Sequence, residues 1–276
     1  MNTLRMLVRK SLFPLGSVAT IRRGPLRGCR YRVTEESGWA PILGRWEPDA
    51  QRAYAKLVRA GDNVWDLGAN TGIHALLFAR LAGAKGSVAA FEPSRVNADQ
   101  IRETCRLNAV DNVKVVEKAV SDTCDPAVFH IGMHHNQGSL VGIRRQEGTR
   151  IEVACTTMDA ALAECGAPDF VKIDIEGAES QALRGFTRVA ESHPTFAIDL
   201  HTPSEDVAVG TWLRENGYAA FRLLDATARA HGASTRELDP IGDLSRGWPV
   251  QSGIWGTVIA VHPARPDVLE RARGGG

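Results

Sequence analysis

The stretch DLGANTG, residues 66–72, joins an apolar run at 63–67 to a segment with helical periodicity that begins at Ile73. A short apolar run followed by a glycine turn and a helix is typical of the first unit of a Rossmann-like domain. Gly68 permits a tight turn and a close approach of the backbone to a ligand. Gly72 permits close packing at the helix start, where free N–H groups suit an anionic group. The turn therefore predicts a ligand site at the end of the first strand.

Two acidic residues narrow the choice of ligand. Asp66 can pair with a cationic amine and the helix N-terminus with a carboxylate, so the two together suit an amino acid. Glu92 ends the next apolar run about 20 residues further on, where an acidic residue binds ribose hydroxyls. Asn70 stands where a dinucleotide fold needs its second glycine for the pyrophosphate. These residues indicate S-adenosylmethionine rather than a dinucleotide.

Apolar runs and helical patterns alternate outward from this turn, which predicts an α/β fold with a doubly wound, mainly parallel, seven-stranded sheet. The seven expected strands are 63–67, 87–91, 113–116, 170–175, 195–200, 219–224 and 255–261. Three further runs, at 127–131, 139–143 and 151–155, predict a small β insertion beside the cofactor pocket.

Length and composition are those of one globular domain. The chain has 276 residues, 43% hydrophobic and 24% charged, with a formal net charge of +1. These values do not favour nucleic acid as a partner, and no apolar run approaches the roughly 20 residues of a membrane span. We interpret 1–48 as a solvated, basic N-terminal extension whose aromatic part, 39–48, is a candidate lid; a membrane or nucleic-acid arm and a targeting segment are the alternatives for its basic part. Residues 49–264 form the expected catalytic domain, and 265–276 a flexible tail.

The cysteines favour a reducing environment. Five of them are widely spaced, with no C-x-x-C pair, so neither a disulfide framework nor a zinc site is indicated. We therefore expect a cytoplasmic protein. Oligomeric state is left open, with a homodimer as one alternative.

Four motifs occur in an order that resembles the FkbM-type S-adenosylmethionine-dependent methyltransferase family. They are DLGANTG at 66–72, AFEP at 90–93, AVSD at 119–122 and DFVKIDIEGAE at 169–179, and the resemblance covers roughly 46–200. It implies a Rossmann-like class I methyltransferase fold, S-adenosylmethionine as methyl donor, and transfer to an oxygen. Acceptors in the family are often sugars, polyketide hydroxyls or related metabolites.

The resemblance assigns the cofactor-binding residues one by one. By this resemblance, the methionine part of the cofactor would be bound by Asp66, Gly68, Ala69, Asn70 and Gly72. The ribose would be bound by Glu92 and Pro93, and the adenine would lie against Ala119 and Val120. The family usually has a glutamate before a histidine at the end of the fifth strand. This chain reads Asp199-Leu200-His201 there, so the role of Asp199 stays open.

Candidate catalytic residues follow the fourth and fifth strands. Asp174 and Glu176 lie at the carboxyl end of the fourth strand, where ligands of doubly wound sheets bind. We expect Asp174 to be the general base or the acceptor anchor, with Glu176 and His201 as second candidates. Glu179 is expected to stabilise a helix N-terminus. The same three candidates could ligate a divalent cation such as Mg²⁺, although their spacing does not establish a metal site.

The expected function is methylation of a hydroxyl on a small molecule. An RNA methyltransferase shares the cofactor fold, but the acidic sequence DIEG at 174–177 would repel phosphate. A catalytically silent binding module is a third alternative, and the cofactor residues argue against it. His134 and His135, in a predicted loop, are interpreted as exposed or substrate-contacting residues.

Overall fold

The computed structural model describes residues 13–34, 38–131, 138–140, 149–224, 237–242 and 256–274. The expected strand at 139–143 lies largely outside the described residues. His134, His135 and the first twelve residues lie wholly outside the described residues.

The described residues form seven helices. They are α1 (Pro48–Leu57), α2 (Ile73–Ala82), α3 (Arg95–Leu107), α4 (Met158–Cys165), α5 (Glu179–Arg184), α6 (Pro203–Glu215) and α7 (Pro266–Ala272). Two of them begin at capping residues: the side chain of Thr157 accepts a hydrogen bond from the N–H of Ala160, and that of Thr202 from the N–H of Glu205. Helix α2 instead follows Gly72, whose left-handed backbone ends the turn.

The strands group into one large and three small sheets. They are β1 (Val18–Thr20), β2 (Arg30–Arg32), β3 (Asn63–Leu67), β4 (Ser87–Phe91), β5 (Val113–Val116), β6 (Ala119–Val120), β7 (Ala127–Ile131), β8 (Gly138–Ser139), β9 (Thr149–Val153), β10 (Cys155–Thr156), β11 (Phe170–Ile173), β12 (Thr195–Asp199), β13 (Ala219–Leu223), β14 (Leu238–Pro240) and β15 (Thr257–Val261).

The central sheet has the order β14-β13-β15-β12-β11-β3-β4-β5. The five strands from β12 to β5 pair in parallel, and β15 lies antiparallel between β12 and β13. This confirms the α/β, doubly wound fold. The number of strands differs from the prediction, because the described residues place eight strands in this sheet and not seven. The additional strand, β14, is only three residues long and ends in Pro240, so its sequence carries almost no strand signal.

The strand order reverses between β3 and β11. From β3 the chain proceeds to β4 and β5 on one side, and from β11 to β12 on the other. A crevice forms outside the carboxyl ends of the strands at such a reversal. The turn at 66–72 and Asp174 therefore meet at this place.

Each face of the central sheet carries its own hydrophobic core. Val64, Phe170 and Ala197 face one core, while Trp65 and Val171 face the other. Alternation along the strands sends neighbouring residues to opposite faces. Lys172 and Asp66 accordingly lie on the face of Phe170, which α1 and α2 cover.

The N-terminal part of the chain is not a solvated extension where the structure describes it. Strands β1 and β2 form an antiparallel hairpin, and Leu26, Tyr31 and Ile42 are buried in the same core as α2. The prediction failed because the buried apolar residues of this hairpin are interspersed with surface arginines and have no long periodic pattern.

The C-terminal segment is likewise no flexible tail over most of its length. Residues 266–272 form helix α7, which buries Val268, Leu269 and Ala272. Pro266 at the helix start and the spacing of these three side chains are its sequence signal.

The predicted β insertion is present between β5 and β11. Strands β7, β8 and β9 form an antiparallel sheet, and β6 pairs with β10 in parallel. All five cysteines are free thiols. None of the helices in the described ranges combines the length and apolar character that a bilayer crossing requires.

Candidate active site

The glycine turn after β3 is fixed by its neighbours. The N–H groups of Gly68 and Ala69 both donate to the carbonyl of Phe91, at 3.0 Å. Gly68, Asn70 and Gly72 have φ values of 81°, 51° and 83°. A Cβ atom at Gly68 would lie 1.9 Å from the backbone oxygen of Asp174, so only glycine fits against the end of β11.

Glu92 lies directly behind this turn, with 5% of its surface exposed. Its carboxylate accepts hydrogen bonds from the N–H groups of Asn70 and Ser94, each at 2.9 Å. Burial raises the pKa of Glu92 to about 7, although these two bonds act in the opposite direction. Glu92 is thus a buried acceptor with lone pairs left for a ligand.

A cavity opens at the switch point, and its empty space, open solvent included, amounts to about 620 Å³. Its lining includes eight of the predicted site residues: Gly68, Asn70, Glu92, Pro93, Ala119, Val120, Asp174 and Glu176. The lining does not include Asp66, Ala69, Gly72 or His201. Gly72 instead packs against α3, where an added Cβ would approach Ile101 to 3.1 Å.

Sequence reasoning missed several residues of this lining. Phe129 and Leu140 come from the β insertion and give the cavity an apolar side beyond Ala119 and Val120. Lys118 also contributes to the lining. The only sequence signal for Phe129 and Leu140 is the β insertion that the sequence predicts beside the cofactor pocket.

The cavity fits an adenosine ligand that carries an amino acid. Its apolar wall suits a base, Glu92 suits ribose hydroxyls, and the turn offers backbone groups near Gly68. Asn70 supplies a further observation, because its Oδ1 atom is buried without a hydrogen-bond partner among the described residues. A buried unpaired amide oxygen costs free energy that a donor on a bound ligand would recover.

Asp66 is not among the residues that line this cavity. It is fully buried, and neither carboxylate oxygen has a hydrogen-bond partner in the described part of the chain. The Nζ atom of Lys172 lies 3.8 Å from the Oδ1 atom of Asp66. Burial raises the pKa of Asp66 to about 6, and Lys172 limits this rise. Direct contact of Asp66 with a ligand amine therefore stays a prediction.

Lys172 links Asp66 to the candidate catalytic residues. Its Nζ donates to Oδ2 of Asp174 at 3.0 Å, and its side chain is 1% exposed. Burial opposes its charge, yet the carboxylates of Asp174, Asp66 and Asp199 raise the pKa of Lys172 above its usual value. Burial would likewise raise the pKa of Asp174, but the charges of Lys172 and His201 outweigh it and lower that pKa. Asp174 is consequently an ionised carboxylate.

The structure brings the three candidate catalytic residues together. His201 Nε2 lies 3.5 Å from Asp174 Oδ1 and 3.7 Å from Glu176 Oε2. Glu176 adopts a left-handed backbone with φ of 54°, which is uncommon outside glycine. One ligand atom from each residue lies within 4.8 Å of the others, a spacing that suits a divalent cation.

Glu179 orients His201. Its Oε1 atom is 2.9 Å from His201 Nδ1 and also accepts from the N–H of Gly177 at 2.9 Å. Glu179 therefore combines its expected position at the start of α5 with a contact to the imidazole of His201. Burial would lower the pKa of His201, but the bond to Glu179 and the charge of Asp174 raise it to about 9. A bond to Nδ1 leaves Nε2 directed at Asp174 and Glu176.

Residues 66–220, more than half of the chain, match the methyltransferase FkbM domain. The chain belongs to the FkbM methyltransferase family. The resemblance stated from the sequence is thereby confirmed. This family membership also agrees with the doubly wound α/β architecture of the central sheet.

The sequence identity between this chain and individual related proteins is low. The FkbM chain is 26% identical over 161 residues to the hexuronic acid methyltransferase AglP of Haloferax volcanii. That alignment covers 57% of this chain and 63% of the relative, so it spans less than two thirds of the relative's length.

Two solved structures also resemble this chain. A precorrin-6Y C5,15-methyltransferase from Geobacter metallireducens has a TM-score of 0.48 and 13% identity, covering 84% of this chain and 94% of its own. A SAM-dependent O-methyltransferase from Thermotoga maritima has a TM-score of 0.42 and 14% identity. That match covers 84% of this chain and 66% of the Thermotoga protein. The family assignment itself rests on the match at 66–220.

Proposed function

We propose that this chain is an S-adenosylmethionine-dependent O-methyltransferase that acts on a hydroxyl of a small molecule, such as a sugar, polyketide or related metabolite. The observation that carries the proposal is that Asp174 and Glu176 line the same cavity as Glu92. Groups suited to a hydroxyl proton thus lie beside groups suited to adenosine. Family membership supports methyl transfer as the reaction.

The cofactor would be held by residues on three elements. Glu92 would accept hydrogen bonds from the ribose, Asn70 would offer its unpaired Oδ1, and Ala119 and Val120 would pack against the base. When bound, S-adenosylmethionine supplies an electrophilic methyl group, whose bond to sulfur breaks with the electron pair left on sulfur as the bond to the acceptor oxygen forms.

The acceptor hydroxyl must lose its proton in this reaction. Asp174 is a poor proton acceptor, because its pKa is low, but an ionised carboxylate orients a hydroxyl well. His201, with a pKa of about 9, is mostly protonated at neutral pH, and its neutral form, which becomes available as the pH rises toward 9, is the stronger base of the two. We assign Asp174 to hold the hydroxyl and His201 Nε2 to take its proton. Glu176 lies 3.7 Å from that nitrogen and would stabilise the imidazolium that results.

A bound divalent cation is a second way to activate the hydroxyl. The cluster of Asp174, Glu176 and His201 supports it, because one ligand atom of each lies within 4.8 Å of the others. Glu179 would then orient the histidine ligand, as carboxylates do around metal-bound imidazoles. A cation such as Mg²⁺ would lower the pKa of a coordinated hydroxyl.

RNA is a less suitable acceptor for this site. The carboxylates of Asp174 and Glu176 at the end of β11 would repel phosphate. A silent binding module would not require the ordered His201–Glu179 contact beside an ionised Asp174.

Methyl transfer from labelled S-adenosylmethionine to a panel of hydroxylated metabolites tests the proposal. Each reaction is run with EDTA and with Mg²⁺, on the wild type and on His201→Gln. We expect transfer to an oxygen, reduced at least about 100-fold in the variant, since a general base contributes that much. Transfer to nitrogen or carbon only, or full activity in the variant, would contradict the assignment. A requirement for Mg²⁺ would favour the metal route.

A further inference from the structure

The N-terminal hairpin carries a surface that is rich in arginine. A loop joins β1 to β2, and it closes where the N–H of Ile21 donates to the carbonyl of Cys29 at 2.7 Å. The segment before α1 packs against this loop, since the N–H of Arg22 donates to the carbonyl of Ile42 at 2.9 Å. The exposed basic side chains of the loop, of β2 and of that segment are Arg22, Arg23, Arg27, Arg30 and Arg45. We call these five residues the arginine patch.

The positive charge of the arginine patch is not balanced by its own segments. Residues 1–34 contain no aspartate or glutamate, and neither do residues 38–46. None of the five arginines forms an ion pair with a residue that the structure describes, whereas Arg32 of the same hairpin is paired with Glu103. The formal net charge of the whole chain is only +1. Positive charge is therefore concentrated on this one surface, where it attracts anions.

An exposed apolar side chain accompanies the arginine patch. The guanidinium of Arg22 lies over the ring of Phe13, 5.8 Å from its centroid. Leu15, two residues further along the chain, is 65% exposed, the highest value for a large hydrophobic residue in the described part of the chain. The twelve residues before Phe13 add Arg5, Arg9 and Lys10 together with several apolar residues. Basic and apolar groups thus occur together at this end of the protein.

Anionic lipid and RNA both attract arginine, and the apolar component distinguishes between them. Proteins that bind to a membrane surface combine basic side chains with apolar ones that enter the headgroup region. Proteins that bind single-stranded RNA use aromatic rings on which the bases stack. The rings near the arginine patch are occupied by packing, because Tyr31 is buried and Phe13 and Trp46 pack against the core. The exposed Leu15 therefore favours lipid.

We propose that the arginine patch docks this protein on a membrane surface that contains anionic phospholipids. The guanidinium groups donate charge-assisted hydrogen bonds to the lipid phosphates and carboxylates. Leu15 enters the boundary between headgroups and acyl chains. Each arginine near an anionic surface adds a similar, small contribution, so the docking is reversible. The inference is independent of the proposed function, since no residue of the arginine patch lines the cofactor cavity.

Flotation of the full chain with lipid vesicles tests the inference. Vesicles of phosphatidylcholine alone are compared with vesicles in which about one third of the lipid is phosphatidylserine. We expect at least about tenfold tighter binding to the anionic vesicles at low salt. The difference should largely disappear at about 1 M NaCl, where the Debye length is only about 3 Å.

Three variants locate the binding surface. Arg23→Gln combined with Arg27→Gln should weaken binding to the anionic vesicles at least about tenfold, because two contributing charges are lost. Leu15→Ser should weaken it severalfold, because the apolar anchor is lost. Arg150→Gln combined with Arg214→Gln is the matched control. It removes the same charge from exposed positions on β9 and α6 and should bind as the wild type does.

Several results would overturn the inference. One is equal binding of the wild type to neutral and anionic vesicles, and another is an equal effect of the two double variants. A third is binding of a single-stranded RNA oligonucleotide by protein that does not bind the anionic vesicles, which would assign the arginine patch to nucleic acid. The substituted side chains are all exposed, so the urea midpoints of the variants should match that of the wild type and exclude unfolding as a cause.

Discussion

Replacing Gly68 with alanine should disrupt the cofactor site, because it adds a methyl group at a backbone-to-backbone contact. The added Cβ would lie 1.9 Å from the backbone oxygen of Asp174, and real side-chain carbons essentially never approach closer than 3.0 Å. The turn and the end of β11 must therefore separate by at least about 1.1 Å, the difference between these distances. Such overpacking typically costs about 1–3 kcal/mol. The φ of 81° adds a penalty of roughly 1–2 kcal/mol for a non-glycine residue.

A matched control isolates the contact from the backbone penalty. Gly61 has a φ of 95°, but a Cβ there has no atom within 4 Å. Urea denaturation should show a loss of about 1–2 kcal/mol for Gly61→Ala and about 2–5 kcal/mol for Gly68→Ala. Calorimetry should show S-adenosylmethionine binding retained in the first variant and weakened at least about tenfold in the second. Equal stabilities together with equal affinities would refute the argument that glycine is required at this contact.

Three further predictions concern charged groups of the site. In the wild type the affinity for S-adenosylmethionine should fall as the pH drops through about 7, since Glu92 becomes protonated, and titrations of Glu92→Gln should lack this dependence. The imidazole of His201 should titrate near 9 by NMR and at a lower pH in Glu179→Gln, which loses a charge that favours the imidazolium; an unchanged midpoint would contradict the assigned contact. Lys172→Met should destabilise the fold by about 3–5 kcal/mol in urea denaturation, because it leaves buried carboxylates without a cation, whereas Lys114→Met at the surface should leave the urea midpoint close to that of the wild type.

The sequence predicted the parts of the site that depend on backbone geometry and strand order. Gly68 and Asn70 need left-handed backbone conformations, and the spacing to Glu92 follows from one strand–helix–strand unit. Asp174 and His201 follow neighbouring parallel strands, so their proximity could be expected from the alternating pattern. These signals are local in sequence, and a single chain contains them in full.

Other contacts depend on packing between distant segments, which no local pattern records. The burial of Tyr31 and Ile42 joins the N-terminal hairpin to the core, although the surrounding sequence is basic. Lys172 reads as an ordinary polar residue in a strand, yet the structure buries it between Asp66 and Asp174. Glu47 meets His74 only because the segment before α1 folds over α2.

Calorimetric titration of the wild type with S-adenosylmethionine, beside NADH as a control ligand, tests the central claim most directly. The cavity predicts binding of S-adenosylmethionine alone, weakened at least about tenfold by Glu92→Ala, which removes the buried acceptor. Glu215→Ala, at an exposed position of α6, should bind as the wild type does. No binding of S-adenosylmethionine by folded protein, or binding that Glu92→Ala leaves intact, would contradict the assignment of this cavity as the cofactor site.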